Sequence, residues 1–234
     1  MKPHTIGLTL MLGVAMTLTG CNKGEEKAAV PGDAPKVEAF PEGTKVTDLF
    51  PATPGAQSTF SAGGTVELTL KITDVKDQGE NKIVTMQTIE QNKVSDTMQW
   101  QVGPTGIFQL NARNGKAYNP MQLSAGPDFN NKEEVKYAGK GPFPSVETGK
   151  PDYGDIQGSL KNRGIETVDT NMGQIQALAV ESAYLYESAG KKYRILNTTW
   201  FAPKYGIVRM VQTTQREDNF SRSLTMKLKG FRSK

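Results

Sequence analysis

The chain has 234 residues, with 28 Lys and Arg against 24 Asp and Glu and a formal charge of +4; the length suits one large domain plus targeting segments, and the interspersed charges fit a solvated surface, not a nucleic-acid-binding stripe. Its one cysteine, Cys21, excludes an internal disulfide, and its one histidine, His4, sits in an N-terminal leader. Without that leader the chain has no imidazole, which excludes Ser-His and Cys-His nucleophile pairs and every zinc site built from His or Cys.

Met1 to Gly20 has the three parts of an export signal: Lys2 at the positive start, an apolar run from Ile6 to Leu18, and small residues before Cys21. The run is shorter than the about 20 apolar residues that a spanning helix needs, so cleavage is expected. Leu18-Thr19-Gly20-Cys21 resembles the lipobox of bacterial lipoproteins. That resemblance implies a diacylglyceryl group on the Cys21 thiol, signal cleavage between Gly20 and Cys21, and acylation of the freed amine. Small Thr19 and Gly20 would let a peptidase approach the backbone, while Leu18 fills an apolar subsite. Acyl chains contribute about 0.8 kcal/mol per buried CH₂, so three of them make a permanent anchor. The alternative is an ordinary secretory signal that ends near a cysteine. In enteric-type bacteria, Asp after the lipidated Cys marks inner-membrane retention. Asn22 at that position implies the outer membrane, facing the periplasm, in a host that has one.

Residues 1–20 thus read as signal peptide and 21–45 as a lipidated flexible tether, rich in Ala, Glu, Lys and Pro and without apolar periodicity. A flexible chain of that length spans roughly 25 Å. Residues 46–234 read as a single β domain. Pro51 and Pro54-Gly55 form a turn-rich entry. Val66, Leu68, Leu70 and Ile72 then alternate with Glu67, Thr69, Lys71 and Thr73, the period of a half-buried strand. After a turn at Asp77 to Asn81, Val84 and Met86 alternate, then Met98, Trp100 and Val102. Gly103-Pro104-Thr105-Gly106 turns the chain before Phe108 and Leu110, and Asn114-Gly115 signals a two-residue hairpin.

Pro120 to Asp155, with five prolines and many glycines, reads as a long surface excursion carrying one or two short strands. Its Gly139-Lys140-Gly141 lacks the spacing of a phosphate loop. Strands resume at Ile165 to Val168, followed by a turn at Asn171-Met172-Gly173. Leu178, Val180, Ser182, Tyr184 and Tyr186 then share one face of a long strand, with Ala177 and Ala179 on the other. Tyr193 to Phe201, Ile207 to Gln212, and a last strand presenting Leu224, Met226 and Leu228 complete the domain.

The pattern predicts nine to eleven strands and no amphipathic helix. Short turns favour antiparallel pairing, and strands apolar on one face must close on something. The expected fold is all-β: a curved antiparallel meander sheet closing towards a barrel, with a two-sheet sandwich as the alternative. Thr199 to Val208, with its Trp-Phe-Ala-Pro-x-x-Gly-Ile-Val core, resembles a hairpin recurring in uncharacterised bacterial exported proteins. Pro54-Gly55, Glu166-Thr167-Val168 and Met172-Gly173 match other features of those families. The resemblance implies a β-rich envelope domain and no reaction. Pro203 fixes φ at the turn and Gly206 can take the positive φ that re-enters the next strand.

No carboxylate spacing selects a glycosidase pair, and Asp74 and Asp77 do not build a calcium loop. The expectation is a non-enzymatic envelope lipoprotein, without cofactor or metal, held at the membrane by Cys21 and binding no nucleic acid. One alternative is a carrier for a lipid or other apolar ligand in a concave mouth, resembling the open-barrel lipoprotein carriers of the bacterial envelope. Trp100, Tyr184, Trp200 and Phe201 are its candidate ligand-binding residues, with Tyr186, Met86, Met98, Met210 and Met226 beside them. Those side chains would otherwise simply fill the core. A second alternative is an assembly or interaction protein using an edge strand or the Pro120–Asp155 excursion.

Overall fold

A computed structural model of the chain describes residues 37–63, 66–112, 115–144 and 151–233. The signal, Gly20, Cys21, Asn22 and the tether as far as residue 36 lie outside the described residues, as does Asn114 of the expected hairpin turn.

The apolar alternation builds the wall. Leu68, Leu70 and Ile72 are buried while Glu67, Lys71 and their neighbours face out. Val84 and Met86, then Met98, Trp100 and Val102, then Val208 and Met210, then Leu224, Met226 and Leu228 repeat the arrangement strand by strand. Period two puts successive side chains on opposite faces, so each strand has one apolar face to hide. Twelve strands share that need: β1 (Gln57–Ala62), β2 (Val66–Gln78), β3 (Asn81–Glu90), β4 (Lys93–Gly103), β5 (Gly106–Ala112), β6 (Lys116–Ala125), β7 (Val135–Pro144), β8 (Pro151–Thr170), β9 (Gly173–Ser188), β10 (Lys191–Ala202), β11 (Gly206–Arg216) and β12 (Ser221–Arg232). Each pairs antiparallel with its sequence neighbours, and β1 pairs with β12 to close the barrel. The outward residues of β4 and β12 include Thr97, Gln99, Lys227 and Lys229. This is a barrel with an apolar interior and a polar exterior, the reverse of an outer-membrane pore wall.

One end is plugged. The chain enters through a 3₁₀ turn, Val46–Leu49, that buries Val46 and Leu49 and touches β4, β5, β10 and β11. Phe50 behind it packs on Trp100 with ring centroids 5.4 Å apart. Lys204, in the turn between β10 and β11, donates its backbone N–H to the Asp48 carbonyl at 3.3 Å. Gly206 leaves that turn at φ +75°, the left-handed region expected for it, and its α-carbon faces the Pro51 ring. The other end carries a second apolar cluster, Phe143, Ile156, Tyr186, Tyr193 and Ile195, in which Tyr186 stacks on Phe143 at 4.5 Å and on Tyr193 at 5.1 Å.

Two expectations change. The stretch from Pro120 to Asp155 is wall, not excursion: it holds the end of β6, all of β7 and the start of β8. Its glycines are spacing devices. A methyl group at Gly139 would run into the Asn119 carbonyl, and one at Gly141 into the Tyr118 ring. Even so, β6 and β7 meet at a single registered pair, Asn119 with Lys140, whereas β7 and β8 pair over ten residues each. The strand count also rises to twelve, because residues read as loop are strands. Residues 37–40 lie along β9. Glu38 N–H donates to the Gln174 carbonyl at 3.0 Å, and Gln176 N–H donates to the Glu38 carbonyl at 2.9 Å.

β8 and β9 outgrow their neighbours at 20 and 16 residues. The tip of their hairpin reaches across the closing seam. Asn171 N–H donates to the Leu228 carbonyl on β12 at 2.8 Å, and its side-chain amide donates to Ser61 Oγ on β1 at 3.2 Å.

Candidate functional site

Between the plugged end and the aromatic end the barrel holds a cavity of about 150 Å³. Its apolar wall comes from the inward positions of nearly every strand. Leu70, Met86, Met98, Trp100, Phe201 and Met210 lie towards the plug, and Phe143, Ile156, Tyr186 and Ile195 towards the far end.

A polar belt crosses the interior between these two apolar zones. Ser182, Asn197 and Gln212 are successive cross-strand partners on β9, β10 and β11. Gln212 Nε2 donates to Asn197 Oδ1 at 2.9 Å, and Asn197 Nδ2 donates to Ser182 Oγ at 3.5 Å. Tyr184 joins the belt through hydrogen bonds involving Ser182, Tyr137 and Asn197. On the β6–β7 side, Gln122 Nε2 donates to Tyr137 Oη at 2.8 Å. Burial pushes the phenols of Tyr137 and Tyr184 up from their ordinary value, so both are neutral hydroxyls at any physiological pH.

Charge is nearly absent from the lining. Asp96, 1 % exposed, is the one carboxylate, and its Oδ1 accepts the Thr97 backbone N–H at 2.8 Å. Among the described residues no Lys or Arg side chain lines the cavity. Among them, too, no group of three His, Cys, Asp or Glu side chains is placed to hold a metal ion. Trp100 brings a further polar feature: its indole N–H is buried without a hydrogen-bond partner.

Of the four candidate ligand-binding residues, Trp100, Tyr184 and Phe201 line the cavity together, as do Tyr186, Met86, Met98 and Met210. Trp200 does not, and neither does Met226. Trp200 alternates with Thr199 and Phe201, which both face the cavity, and so points to the outer side of β10. There its Nε1 donates to Glu166 Oε2 at 3.1 Å and the Arg209 guanidinium lies over its ring at 5.1 Å. Arg163 holds Glu166 in turn at 2.9 Å. The residue is a clamp between β8, β10 and β11. Sequence reasoning named none of Asp96, Gln122, Asn197 or Gln212 as site residues. Their signal was a polar residue at an inward position of an otherwise apolar alternation, as in Tyr193-Ile195-Asn197-Thr199-Phe201.

No protein-family model matches the chain, and no curated protein matches it in sequence. Solved structures do. One, from Parabacteroides distasonis and described as a lipoprotein, is 13% identical with a TM-score of 0.50, over 79% of this chain and 98% of that one. Another, an exported protein of YmcC-like fold from Bacteroides fragilis, is 14% identical with a TM-score of 0.44, over 78% and 98%. The hypothetical lipoprotein YmcC of Escherichia coli is 9% identical with a TM-score of 0.38, over 79% and 88%. The first of these shares the barrel fold; at such identity the likeness is one of fold alone.

Proposed function

We propose that this protein is a lipid-anchored envelope protein whose barrel binds a small apolar or amphiphilic molecule, without catalysing a reaction on it. The observation that carries the binding half is the cavity of about 150 Å³ between two apolar clusters, crossed by a polar belt. Cores normally pack to crystal-like density, with few voids larger than a water molecule. A void this size, walled by flexible methionines and by aromatic rings, is what a binding site requires and a purely structural barrel does not. The anchoring half is supported by the Leu18-Thr19-Gly20-Cys21 motif and by the polar barrel exterior, which leaves the membrane to a covalent lipid. It is in keeping with a protein of the same fold being described as a lipoprotein. Asn22 favours the outer membrane, with the barrel in the periplasm.

Binding is preferred to catalysis because the lining offers neutral tyrosines, amides and one carboxylate, with no imidazole, thiol or second acid to work with it. Strand addition at the ends of the meander is disfavoured because β1 pairs with β12 there.

Two experiments test the two halves. Native mass spectrometry of protein purified from envelopes should show a species heavier than the processed chain by a small, organic-extractable molecule. A single mass equal to that of the empty chain overturns the binding half. Metabolic labelling with radioactive palmitate should mark the wild-type protein and not Cys21→Ser; equal labelling overturns the anchor. Asn22→Asp should move the protein to the inner membrane on fractionation of an enteric host.

A further inference from the structure

Size, polarity and charge together narrow the occupant, granted the binding reading above. A cavity holds a water in about 10–15 Å³ of such volume. A cavity of about 150 Å³ is several times that threshold, room for a small molecule with a short chain and not for a diacyl lipid. The belt of Gln122, Tyr184, Ser182, Asn197 and Gln212 offers hydroxyls and amides at mid-barrel, with apolar wall on both sides. An occupant must place a hydrogen-bonding group there and a short apolar chain beyond it.

The charge is the most restrictive feature. A carboxylate head taken into this interior would lose its water without meeting any Lys or Arg in the described lining. An unpaired ion in a low-dielectric site is strongly disfavoured. A hydroxyl or amide loses far less and recovers it from the belt.

We propose that the cavity selects an uncharged, short-chain amphiphile with a hydroxyl or amide head, and rejects the fatty-acid anion of the same length. The head sits on the Ser182–Asn197–Gln212 row and the chain runs between Met98, Trp100 and Phe201. Trp100 carries the one partnerless indole N–H of the lining and is the sensor of an occupant.

The test uses the full chain carrying Cys21→Ser, so that no acyl group of its own competes. Two probes of equal chain length are titrated at pH 8: 1-decanol and decanoate. Binding is read by native mass spectrometry and by change in tryptophan emission. The expected result is saturable one-to-one binding of decanol, with decanoate at least about tenfold weaker, the scale set by burying an unpaired charge. Ser182→Ala, which removes the hydroxyl that accepts from Asn197 Nδ2, should weaken decanol binding about fivefold, the value of one lost hydrogen bond, with the fold checked by circular dichroism and affinity compared well below the melting temperature. Decanoate binding as tightly as decanol overturns the head-group assignment while leaving the binding reading in place. Undiminished decanol binding by Ser182→Ala overturns the belt as its seat. No binding by either probe, with no molecule co-purified, overturns the binding reading itself.

Discussion

Replacing Gly206 by alanine would test how the plug and the β10–β11 hairpin are fitted together. Gly206 has φ +75°, and an added Cβ would lie 2.6 Å from Pro51 Cδ, 3.3 Å from Pro51 Cγ and 3.8 Å from the Leu49 carbonyl. The left-handed backbone alone is worth about 1 kcal/mol against alanine. Pro51 cannot swing away as a long side chain would, because Leu49 and Phe50 on the same segment are buried in the core. Displacing them adds about 2 kcal/mol, the usual scale of overpacking. The sum, about 3 kcal/mol, corresponds to a melting temperature roughly 6–12 °C lower for a domain of this size. Gly190 supplies the control: its φ is +73°, nearly the same, with no atom within 4 Å of an added Cβ. Gly190→Ala should therefore show only the backbone part, about 1 kcal/mol or roughly 2–4 °C. Circular dichroism melts and urea titrations of the two variants beside the wild type measure the difference directly. Equal losses in both would refute the wedge between plug and hairpin.

The remaining predictions concern other parts of the barrel. Trp200→Phe should lose about 1–2 kcal/mol of stability with its bond to Glu166 in denaturant titration, yet leave decanol affinity unchanged, because the ring faces away from the cavity. Burial lifts the Glu90 carboxyl to about 7, against an ordinary value of 4.5. An acid whose folded value is raised is stabilising when protonated, so its contribution is whole below about pH 4.5 and is lost as pH rises through about 7. Urea midpoints across that window should fall less in Glu90→Gln than in the wild type, by about 1 kcal/mol after discounting for solvent screening. Hydrogen exchange should find the β6 amides that face β7 exchanging at least about tenfold faster than those between β8 and β9, since a single registered pair joins β6 to β7. Uniform protection would contradict that seam.

Much of the barrel was legible because its signal is binary. The run Val66 to Ile72 can only be a strand with one wet and one dry face, and several such strands joined by short turns can hardly avoid closing. The Pro120–Asp155 stretch defeated that logic because glycine carries no side chain to declare a face. Gly139 and Gly141 serve a close approach to Asn119 and Tyr118 that no local pattern announces. The aromatic pair shows the limit from another side. Trp200 and Phe201 are adjacent, so at most one can face inward, and the series through Ile195, Asn197 and Thr199 assigns that place to Phe201. The tyrosines and methionines of the wall were visible as large apolar residues. The belt was not, because Asn197 and Gln212 look like surface residues until the closed sheet turns them inward. Glu38 and Phe40 gave no sign of docking, since their partners, Tyr205 and Gln176, lie far along the chain.

The account turns on whether the interior holds something. A crystal structure of the protein purified from its own envelope, without added amphiphile or detergent in the final steps, reads this most directly. The expected result is connected electron density between Trp100, Phe201 and Met98 that reaches the Asn197 and Gln212 amides. An interior in which those side chains have closed on one another, leaving no space between plug and aromatic end, would contradict it.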